Sequence, residues 1–488
     1  MSDLAKRLAA LSPEQRAQLE ARLKQRQQPA SPRATVSPLP PRPVGVPAPA
    51  AFPQERLWFL ERLEGPSATY NVCAALRLTG AVDARLLYRA LVEIVRRNEA
   101  LRTVFSTPEA DRPPIQVVGP VPERCLEQIT IAASESDPEA ALRLRVGALA
   151  RQAMRLERGP LARFTLITRN ETDHVFVIVM HHIVSDGWSL DILFRELSAA
   201  YRDLALGQPV SLPVLPAQYA DFACWQRTQL DDPALEQEVD FWMQRLAGAP
   251  PVFEFPSDFP RPPEQSYEGA CLTHTIGPDL KARLEALATA TGTTLFMVVQ
   301  AAFKLLLLRY TRQTDVVIGA PVANRSRSEF DPLIGFFVNM LVLRTDLSGN
   351  PTFREILKRV RATTLEAMAH QRVPFERLVQ AVQPKRSRSY SPLFQLALMY
   401  QQRQDGCDLA LPGIAVSHYP VHTDTSRYDL SAFVTETAGT LRLDLEFATR
   451  LFKPETIARF ARHLECLLVR VAEQPDLEAG AIDFLPAE

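Results

Sequence analysis

Two adjacent histidines and an aspartate stand at the end of a strongly apolar run, in the segment from His181 to Ser189. Residues 175–180 are apolar and mostly β-branched, which predicts a strand that is covered on both faces. Because successive strand side chains point to opposite faces, His181 and His182 cannot line one cavity or bind one metal ion together. A single imidazole there can accept a proton or orient a substrate, although a lone histidine at a strand end is more often a hydrogen-bonded core residue. The segment therefore predicts a catalytic centre with at most one reactive histidine.

Asp186 and Gly187 follow the histidine pair after three residues and predict a tight turn. The aspartate can hold such a turn through a side-chain hydrogen bond or a salt bridge, and the glycine supplies either a positive φ or room for a ligand. Ser185 is a poor nucleophile candidate because no G-x-S-x-G elbow surrounds it. The pattern therefore indicates histidine-based chemistry rather than a serine hydrolase.

The composition excludes several function classes. The 488 residues carry 55 basic and 56 acidic side chains, a net charge of -1, so neither nucleic acid nor an anionic membrane surface is an expected partner. Six scattered cysteines form no C-x-x-C pair, which argues against a zinc site and a disulfide framework and fits a reducing cytoplasm. The longest apolar helical run, Leu295–Leu308, contains Gln300 and Lys304 and is shorter than the roughly 20 residues of a membrane span. We therefore expect a cytoplasmic protein without a metal site.

The distribution of proline, leucine and charge predicts five segments. Residues 1–27 combine spaced leucines with charged residues and predict short amphipathic helices, which are either a docking segment for a partner or a solvated tail. Residues 28–50 are proline-rich and predict an extended spacer. Residues 51–235 and 236–476 both alternate predicted helices and strands, so we expect two α/β lobes with a site between them, followed by the start of a further linker at 477–488.

The periodicity of apolar residues predicts the elements around the site. Residues suited to an N-cap mark the beginnings of the helices. The predicted elements are a helix from Asp83 to Arg97, a helix capped by Ser189 that runs to Tyr201, helices at 279–288 and 295–310, and a strand at 315–320.

The pattern His-His-x-x-x-Asp-Gly resembles the core motif of the condensation domains of nonribosomal peptide synthetases, and of the wider acyltransferase superfamily that includes chloramphenicol acetyltransferase. The sequence departs from the family pattern where Ala51 and Pro53 replace serine and alanine, where Asn98 replaces histidine, and where Ser387 and Tyr390 replace aspartate and arginine. Six further segments nevertheless resemble the other motifs in the family's order, so the resemblance spans about residue 52 to the C-terminus. These segments are 52–60, 97–105, 219–225, 334–339, 370–379 and 391–395.

The resemblance implies a definite fold and a definite set of partners. It implies two chloramphenicol-acetyltransferase-like lobes arranged as a V-shaped pseudo-dimer, with a tunnel between them and His182 at its midpoint. Donor and acceptor carrier proteins would bring their substrates on 4'-phosphopantetheine arms from opposite ends. The segment from Gly319 to Asn339 would cross from the second lobe under the site as a floor loop. No metal and no bound cofactor is implied for the chemistry.

The implied reaction is attack of an acceptor amine on a donor thioester, which gives an amide and a free thiol. His182 would orient the amine and take its proton, and the Gly187 N–H could support the oxyanion. Asp186 is expected to be structural, with Arg325 as its first candidate partner and Arg102 as its second. The resemblance also places five other side chains near the site in supporting roles: His181, Trp188, Ser189, Trp225 and Asn339.

The donor subtype stays open between two interpretations. The first and third motifs are most similar to domains that accept L-configured donors and to starter domains that take a fatty acyl group. Because residue 1 is methionine and no catalytic domain precedes the spacer, we expect the donor to come from another protein or from acyl-coenzyme A. We favour a starter domain that N-acylates the first amino acid. The alternative is an elongation domain whose N-terminal helices dock an upstream synthetase, and in both cases residues 477–488 would lead to a downstream adenylation domain.

Four other function classes fit less well. An epimerisation domain shares the histidine motif but differs in the residues that follow Gly187. A heterocyclisation domain would carry an aspartate-based motif in place of the histidines. A hydrolase lacks a nucleophile here, and the intact His182 and Asp186 argue against a catalytically silent module that only recruits another enzyme.

Overall fold

The computed structural model describes residues 39, 42, 47–107, 112–132, 137–229, 232–385, 387–402 and 409–485. The helices predicted at 1–27 lie outside the described residues, as does most of the predicted spacer at 28–50. The described end of that spacer is not a free linker, because Ala48–Pro49 forms strand β1 and pairs with strand β4 at Ile115–Val118. Contacts group Arg42–Glu488 into one unit, so the prediction of a spacer is wrong for its last residues.

The first lobe is organised around strand β7, which lies between β2 and β6 in a five-stranded sheet of order β12-β2-β7-β6-β5. Every residue of β7 except the first is buried, as its continuous apolar run predicts. A smaller sheet of order β1-β4-β3 lies in the same lobe. The elements of this lobe are β1 Ala48–Pro49, α1 Phe52–Glu64, β2 Asn71–Thr79, α2 Ala84–Arg97, β3 Thr103–Ser106, β4 Ile115–Val118, β5 Glu127–Thr130, α3 Pro138–Ala150, β6 Ala162–Asn170, β7 Asp173–His181, α4 Gly187–Ala205 and α5 Tyr219–Thr228.

The second lobe has its own six-stranded sheet, of order β10-β9-β11-β13-β14-β8, and its own apolar core. Helix α8 belongs to this core, and most of its residues are buried. The elements of this lobe are α6 Pro233–Leu246, β8 Gly269–Ile276, α7 Pro278–Thr291, α8 Leu295–Thr311, β9 Asp315–Val322, β10 Asn339–Asp346, α9 Phe353–Ala369, α10 Phe375–Val382, β11 Leu396–Gln402, β12 Ala415–His418, β13 Leu430–Glu436, β14 Leu441–Ala448 and α11 Pro454–Glu473.

Two segments of the second lobe cross to the first. Strand β12 pairs with β2 and so extends the sheet that contains β7. Residues 323–338 connect β9 to β10 and are called the floor segment. This segment passes beside the end of β7, where Phe336 packs on the apolar core of the first lobe. These crossings make the sheet and the site of the first lobe depend on residues from both halves of the chain.

The elements predicted around the site are confirmed, with one exception. Helices α2, α7 and α8 and strands β7 and β9 lie where the sequence predicts them, and Asp83 caps α2 by accepting hydrogen bonds from two backbone N–H groups. Ser189 as the cap of α4 is wrong. Asp186 is the N-cap and accepts the backbone N–H of Ser189 at 2.8 Å, so the helix begins at Gly187. The Asp186 side chain reaches the free N–H at the start of the helix, whereas Ser189 already lies inside the helix.

The expected boundary between the lobes falls inside a helix. Helix α6 runs across positions 235 and 236, and its Leu235, Trp242 and Leu246 pack in the core of the second lobe. Within the described part of the chain, no single helix has the length and apolarity of a membrane span; α7 and α8 meet those criteria only as a pair bent by 101°.

Candidate active site

The histidine turn, residues 181–187, links the end of β7 to the start of α4. His181 closes β7, residues 182–184 form a single 3-10 turn, and α4 begins at Gly187. The backbone N–H of His182 donates to Tyr70 O at 2.7 Å, and Gln54 donates from its side chain to Ile183 O at 2.8 Å. The turn is therefore fixed from both sides, by Tyr70 just before β2 and by Gln54 of helix α1.

The two histidines have opposite surroundings, as the alternation of a strand predicts. His181 is buried, and its Nδ1 accepts the backbone N–H of Ile183 at 3.2 Å. Burial, with a smaller contribution from the positive charge of Arg427, lowers the pKa of His181 to about 3. His181 is therefore a neutral, hydrogen-bonded core residue.

The ring of His182 lines a cavity between the two lobes. Its centroid lies 4.5 Å from that of Phe336 in the floor segment. Among the described residues, its buried Nδ1 has no hydrogen-bond partner. Burial first, and then the charge of Arg427, hold the pKa of His182 well below its ordinary value. The ring is therefore neutral at neutral pH and can accept a hydrogen bond or a proton from a group in the cavity.

Asp186 is fully buried and points away from the cavity. Its Oδ1 accepts the backbone N–H of Ser189 and lies 2.7 Å from Ser189 Oγ, while its Oδ2 accepts the backbone N–H of Phe337 at 3.1 Å. Arg325 Nη2 lies 3.4 Å from Oδ1. The carboxylate thus joins the start of α4 to the floor segment and is not placed to contact a substrate in the cavity.

Of the two arginines expected beside Asp186, only Arg325 lies there. It is buried, donates to the carbonyl oxygens of Phe330 and Leu333, and packs its guanidinium 4.0 Å from the centre of the Phe337 ring. Arg102 instead donates to Gly119 O at 2.6 Å in the small sheet. Arg102 as a partner of Asp186 is therefore wrong.

Gly187 does not have the positive φ considered for it, although the space around it is open. Its φ is not in the left-handed region, and a Cβ added there would meet nothing within 4 Å. The residue is exposed and is not among those that line the cavity around His182. Its backbone N–H is therefore not positioned to stabilise an oxyanion beside that ring.

Trp188 and Ser189 tie the start of α4 to the floor segment. Trp188 Nε1 donates to Asp331 O at 3.1 Å, and the hydroxyl of Ser189 accepts the backbone N–H of Gly335 at 3.0 Å. Tyr219 adds a third bond by donating its hydroxyl to Phe336 O at 2.7 Å. A Cβ on Gly335 would lie 2.0 Å from the Tyr219 ring, so only glycine fits this close approach. The floor segment is thereby held against His182 through Phe336.

Asn339 lies in the cavity wall, whereas Trp225 does not. Asn339 donates to Gln371 O and Val373 O and accepts the backbone N–H of Phe375 at 2.9 Å, so it fixes the approach to helix α10. Trp225 packs on other aromatic rings behind the floor segment, with Phe330 at 5.3 Å. Both side chains support the architecture rather than the reacting groups.

The cavity has a volume of about 1070 Å³ and is lined by residues of both lobes. Arg56 of α1 pairs across it with Glu376 of α10 at 4.0 Å, and burial raises the pKa of that carboxyl. Sequence reasoning missed Gln54, Phe336 and Arg427, although the first two lie in segments that resemble family motifs. The residues that line the cavity include Phe59, Leu60, Leu63, Tyr70, His182, Glu264, Tyr267, Phe336, Glu376, Arg388, Arg427 and Tyr428.

In the part of the chain that the structure describes, no group of three or more histidine, cysteine, aspartate or glutamate side chains is arranged to hold a metal ion. The free cysteines do not help as nucleophiles. Burial raises the pKa of Cys73 to about 12, and Cys73 is not among the residues that line the cavity. His182 therefore lies in the cavity as a neutral ring that can accept a hydrogen bond at neutral pH.

Comparisons with known sequences agree with this arrangement. A sequence model of the Condensation domain family matches residues 47–488. A linear gramicidin synthase polypeptide of Brevibacillus parabrevis is 41% identical over 457 residues, which cover 93% of this chain and 6% of that polypeptide. Phosphinothricin tripeptide synthetase PhsC of Streptomyces viridochromogenes is 39% identical over 490 residues, which cover 99% of this chain and 44% of the synthetase. The chain thus corresponds to less than half the length of these relatives.

Comparisons with solved structures confirm the fold. The X-domain from teicoplanin biosynthesis superposes with a TM-score of 0.82 at 30% identity, over 91% of this chain and 99% of that domain. The first condensation domain of the calcium-dependent antibiotic synthetase, in complex with a substrate analogue, superposes with a TM-score of 0.77 over 91% of this chain and all of that domain. That condensation domain is 21% identical to this chain, so its similarity supports the fold alone. The predicted α/β class and chloramphenicol-acetyltransferase-like fold are thereby confirmed, and the chain belongs to the condensation-domain family of nonribosomal peptide synthetases.

Proposed function

We propose that this domain joins an acyl group, carried as a thioester, to the amine of an aminoacyl group on an acceptor carrier protein. The observation that carries the proposal is His182, a neutral imidazole whose ring lines a cavity bounded by both lobes. The cavity is large enough for two thioester arms to meet beside one ring. The donor and acceptor carrier proteins would deliver those arms on 4'-phosphopantetheine, and the domain itself would need no metal.

His182 acts mainly by orienting the amine. An α-amine titrates near pH 8, so about a tenth is already neutral at pH 7 and deprotonation is a small part of the barrier. Holding amine and thioester in attack geometry is worth roughly 7 to 11 kcal/mol. A ring whose pKa is held low is a weak base towards a free amine, but it accepts a hydrogen bond from the attacking N–H.

The proton leaves after the bond has formed. Attack of nitrogen on the thioester carbon forms the C–N bond and moves the C=O electron pair onto oxygen. The nitrogen is then positively charged and far more acidic than the free amine, so even a weakly basic His182 can take its proton. Collapse re-forms C=O, breaks the C–S bond and releases a thiolate, which takes the proton from His182 because a free thiol titrates near pH 8.5.

The charged lining of the cavity favours an aminoacyl or peptidyl donor over the fatty acyl donor expected from the sequence. The carboxyl group of Glu376 and the guanidinium of Arg56, which are only partly exposed, line the same space as the apolar side chains of α1. A long alkyl chain would displace water from these charges without replacing their hydrogen bonds, which is unfavourable. We therefore propose an elongation domain, and we place it in the cytoplasm beside a downstream adenylation domain.

A recruiting role is the second candidate, since a solved neighbour is the X-domain in a complex with OxyB. An elongation domain would form an amide, whereas a domain that only recruits another enzyme would not. The test supplies an aminoacyl acceptor carrier with a peptidyl carrier, an aminoacyl carrier or acyl-coenzyme A, and weighs the acceptor-bound products by mass spectrometry. We expect an amide with the aminoacyl or peptidyl carrier. Product with acyl-coenzyme A alone would establish the starter interpretation, and the absence of amide with every donor would refute catalysis.

A further inference from the structure

We propose that Arg427 is a further catalytic residue of this centre, whose guanidinium stabilises the negative charge that develops on the thioester oxygen during amine attack. The inference rests on the proposed amide-forming function and identifies the group that faces the oxyanion. The step needs such a group, because the electron pair of the C=O bond moves fully onto oxygen before the C–S bond breaks.

Arg427 lies in the same cavity wall as His182. Its guanidinium carbon lies 5.4 Å from the centre of the Tyr70 ring, a cation–π contact that holds the charge in place. Tyr70 is the residue whose carbonyl oxygen accepts the backbone N–H of His182 at 2.7 Å. The backbone carbonyl of Arg427 accepts a hydrogen bond from Gln265 at 2.9 Å, which fixes the base of the side chain.

Its charge is not neutralised within the described residues. Three other arginines of the cavity wall lie beside carboxylates. The pairs are Arg56–Glu376, Arg227–Glu55 and Arg388–Glu264. No such pair involves Arg427 in the parts of the chain that the structure describes. The positive charge of Arg427 acts on the two neighbouring histidines and lowers the pKa of both His181 and His182.

The other candidate donors are less suitable. The side-chain N–H groups of Asn339 already donate to two backbone carbonyls, and Gly187 lies outside the cavity wall. The hydroxyls of Tyr70 and Tyr428 are neutral donors. A guanidinium presents several N–H groups with a full positive charge, and a charged donor forms roughly twice as strong a hydrogen bond as a neutral one.

The test compares R427Q and R427K with wild type in the amide-forming assay, with the donor and acceptor concentrations varied up to saturation. We expect R427Q to lower kcat by about 10² to 10³-fold with KM changed by less than about threefold, because the lost interaction forms only in the transition state. R427K keeps the charge and is expected to retain activity within about tenfold of wild type. The matched control is R354Q, which alters an exposed arginine that pairs with Asp476 and is not among the residues lining the cavity, and it is expected to stay within about threefold.

A second readout separates electrostatics from a folding defect. Without the neighbouring charge, the pKa of His182 rises, so the acidic limb of the kcat profile should move to higher pH in R427Q but not in R354Q. Normal kcat in R427Q, an effect on KM alone, or equal loss in R427K and R427Q would each overturn the inference. If wild type forms amide and H182A does not, these outcomes would overturn the role of Arg427 and leave the proposed function standing.

Discussion

Replacing Asp186 by alanine should destabilise the protein before it affects any chemical step. The carboxylate is fully buried, caps α4 through the backbone N–H of Ser189, accepts the backbone N–H of Phe337, and lies 3.4 Å from the buried Arg325. Loss of an N-cap costs about 1 kcal/mol, and a buried cation left without its partner costs about 3 to 5 kcal/mol. Arg325 retains bonds to two carbonyl oxygens, so the expected loss is about 3 to 5 kcal/mol in total.

The free energy of unfolding of D186A, measured in urea, checks this value. Domains are commonly stable by only about 5 to 15 kcal/mol, so a loss of this size lowers the urea midpoint substantially. The double variant D186A/R325L removes the uncompensated charge as well and is expected to recover part of the stability. A D186A protein within about 1 kcal/mol of wild type that nevertheless lacks activity would contradict the structural role and assign Asp186 to the chemistry.

Three further predictions test other parts of the structure. G335A should lose stability and activity, because its Cβ would lie 2.0 Å from the Tyr219 ring. The Cβ of G187A meets nothing within 4 Å, so its free energy of unfolding should stay within about 0.5 kcal/mol of wild type. Equal free energies of unfolding for the two variants in urea would contradict the packing argument. His181 has a pKa of about 3 in the folded protein, whereas in the unfolded chain it binds a proton near pH 6.5, so the free energy of unfolding should fall below pH 6.5. Between pH 7 and pH 5, the loss of unfolding free energy measured in urea should be about 2 kcal/mol smaller in H181Q than in wild type. Burial lowers the pKa of Lys304 to about 7, against about 10.4 in the unfolded chain, so the free energy of unfolding should rise by about 2 kcal/mol between pH 7 and pH 9. If K304M shows the same rise with pH as wild type, the burial of a neutral lysine is refuted.

The sequence predicts the local parts of the site well, because they depend on neighbours along the chain. The apolar run before His181 specifies β7, and the period of two in a strand separates the buried His181 from the cavity-facing His182. The cap of α4 is harder to predict. Asp186 and Ser189 are both good N-cap residues, and the choice between them depends on which backbone N–H group lies free in the folded turn.

The parts that the sequence does not predict depend on contacts between distant segments. Arg427 reaches the site because the chain returns from β12 past Tyr70 before it enters β13, and no local pattern marks that approach. Arg102 is a reasonable partner for Asp186 by residue type, yet it lies at the end of a 3-10 turn just before β3 and donates to Gly119 O, just after β4. The position of Gly187 outside the cavity also follows only from the direction in which α4 leaves the turn.

The single-turnover rate of amide formation in H182A tests the central claim most directly. The measurement uses a preloaded peptidyl donor carrier and an aminoacyl acceptor carrier. The control is H274Q, because that imidazole contacts Glu465 and is not among the residues lining the cavity. We expect H182A to lower the rate by about 10² to 10⁴-fold at unchanged stability, and H274Q to react at the wild-type rate. A folded H182A that forms amide as fast as wild type would contradict the account.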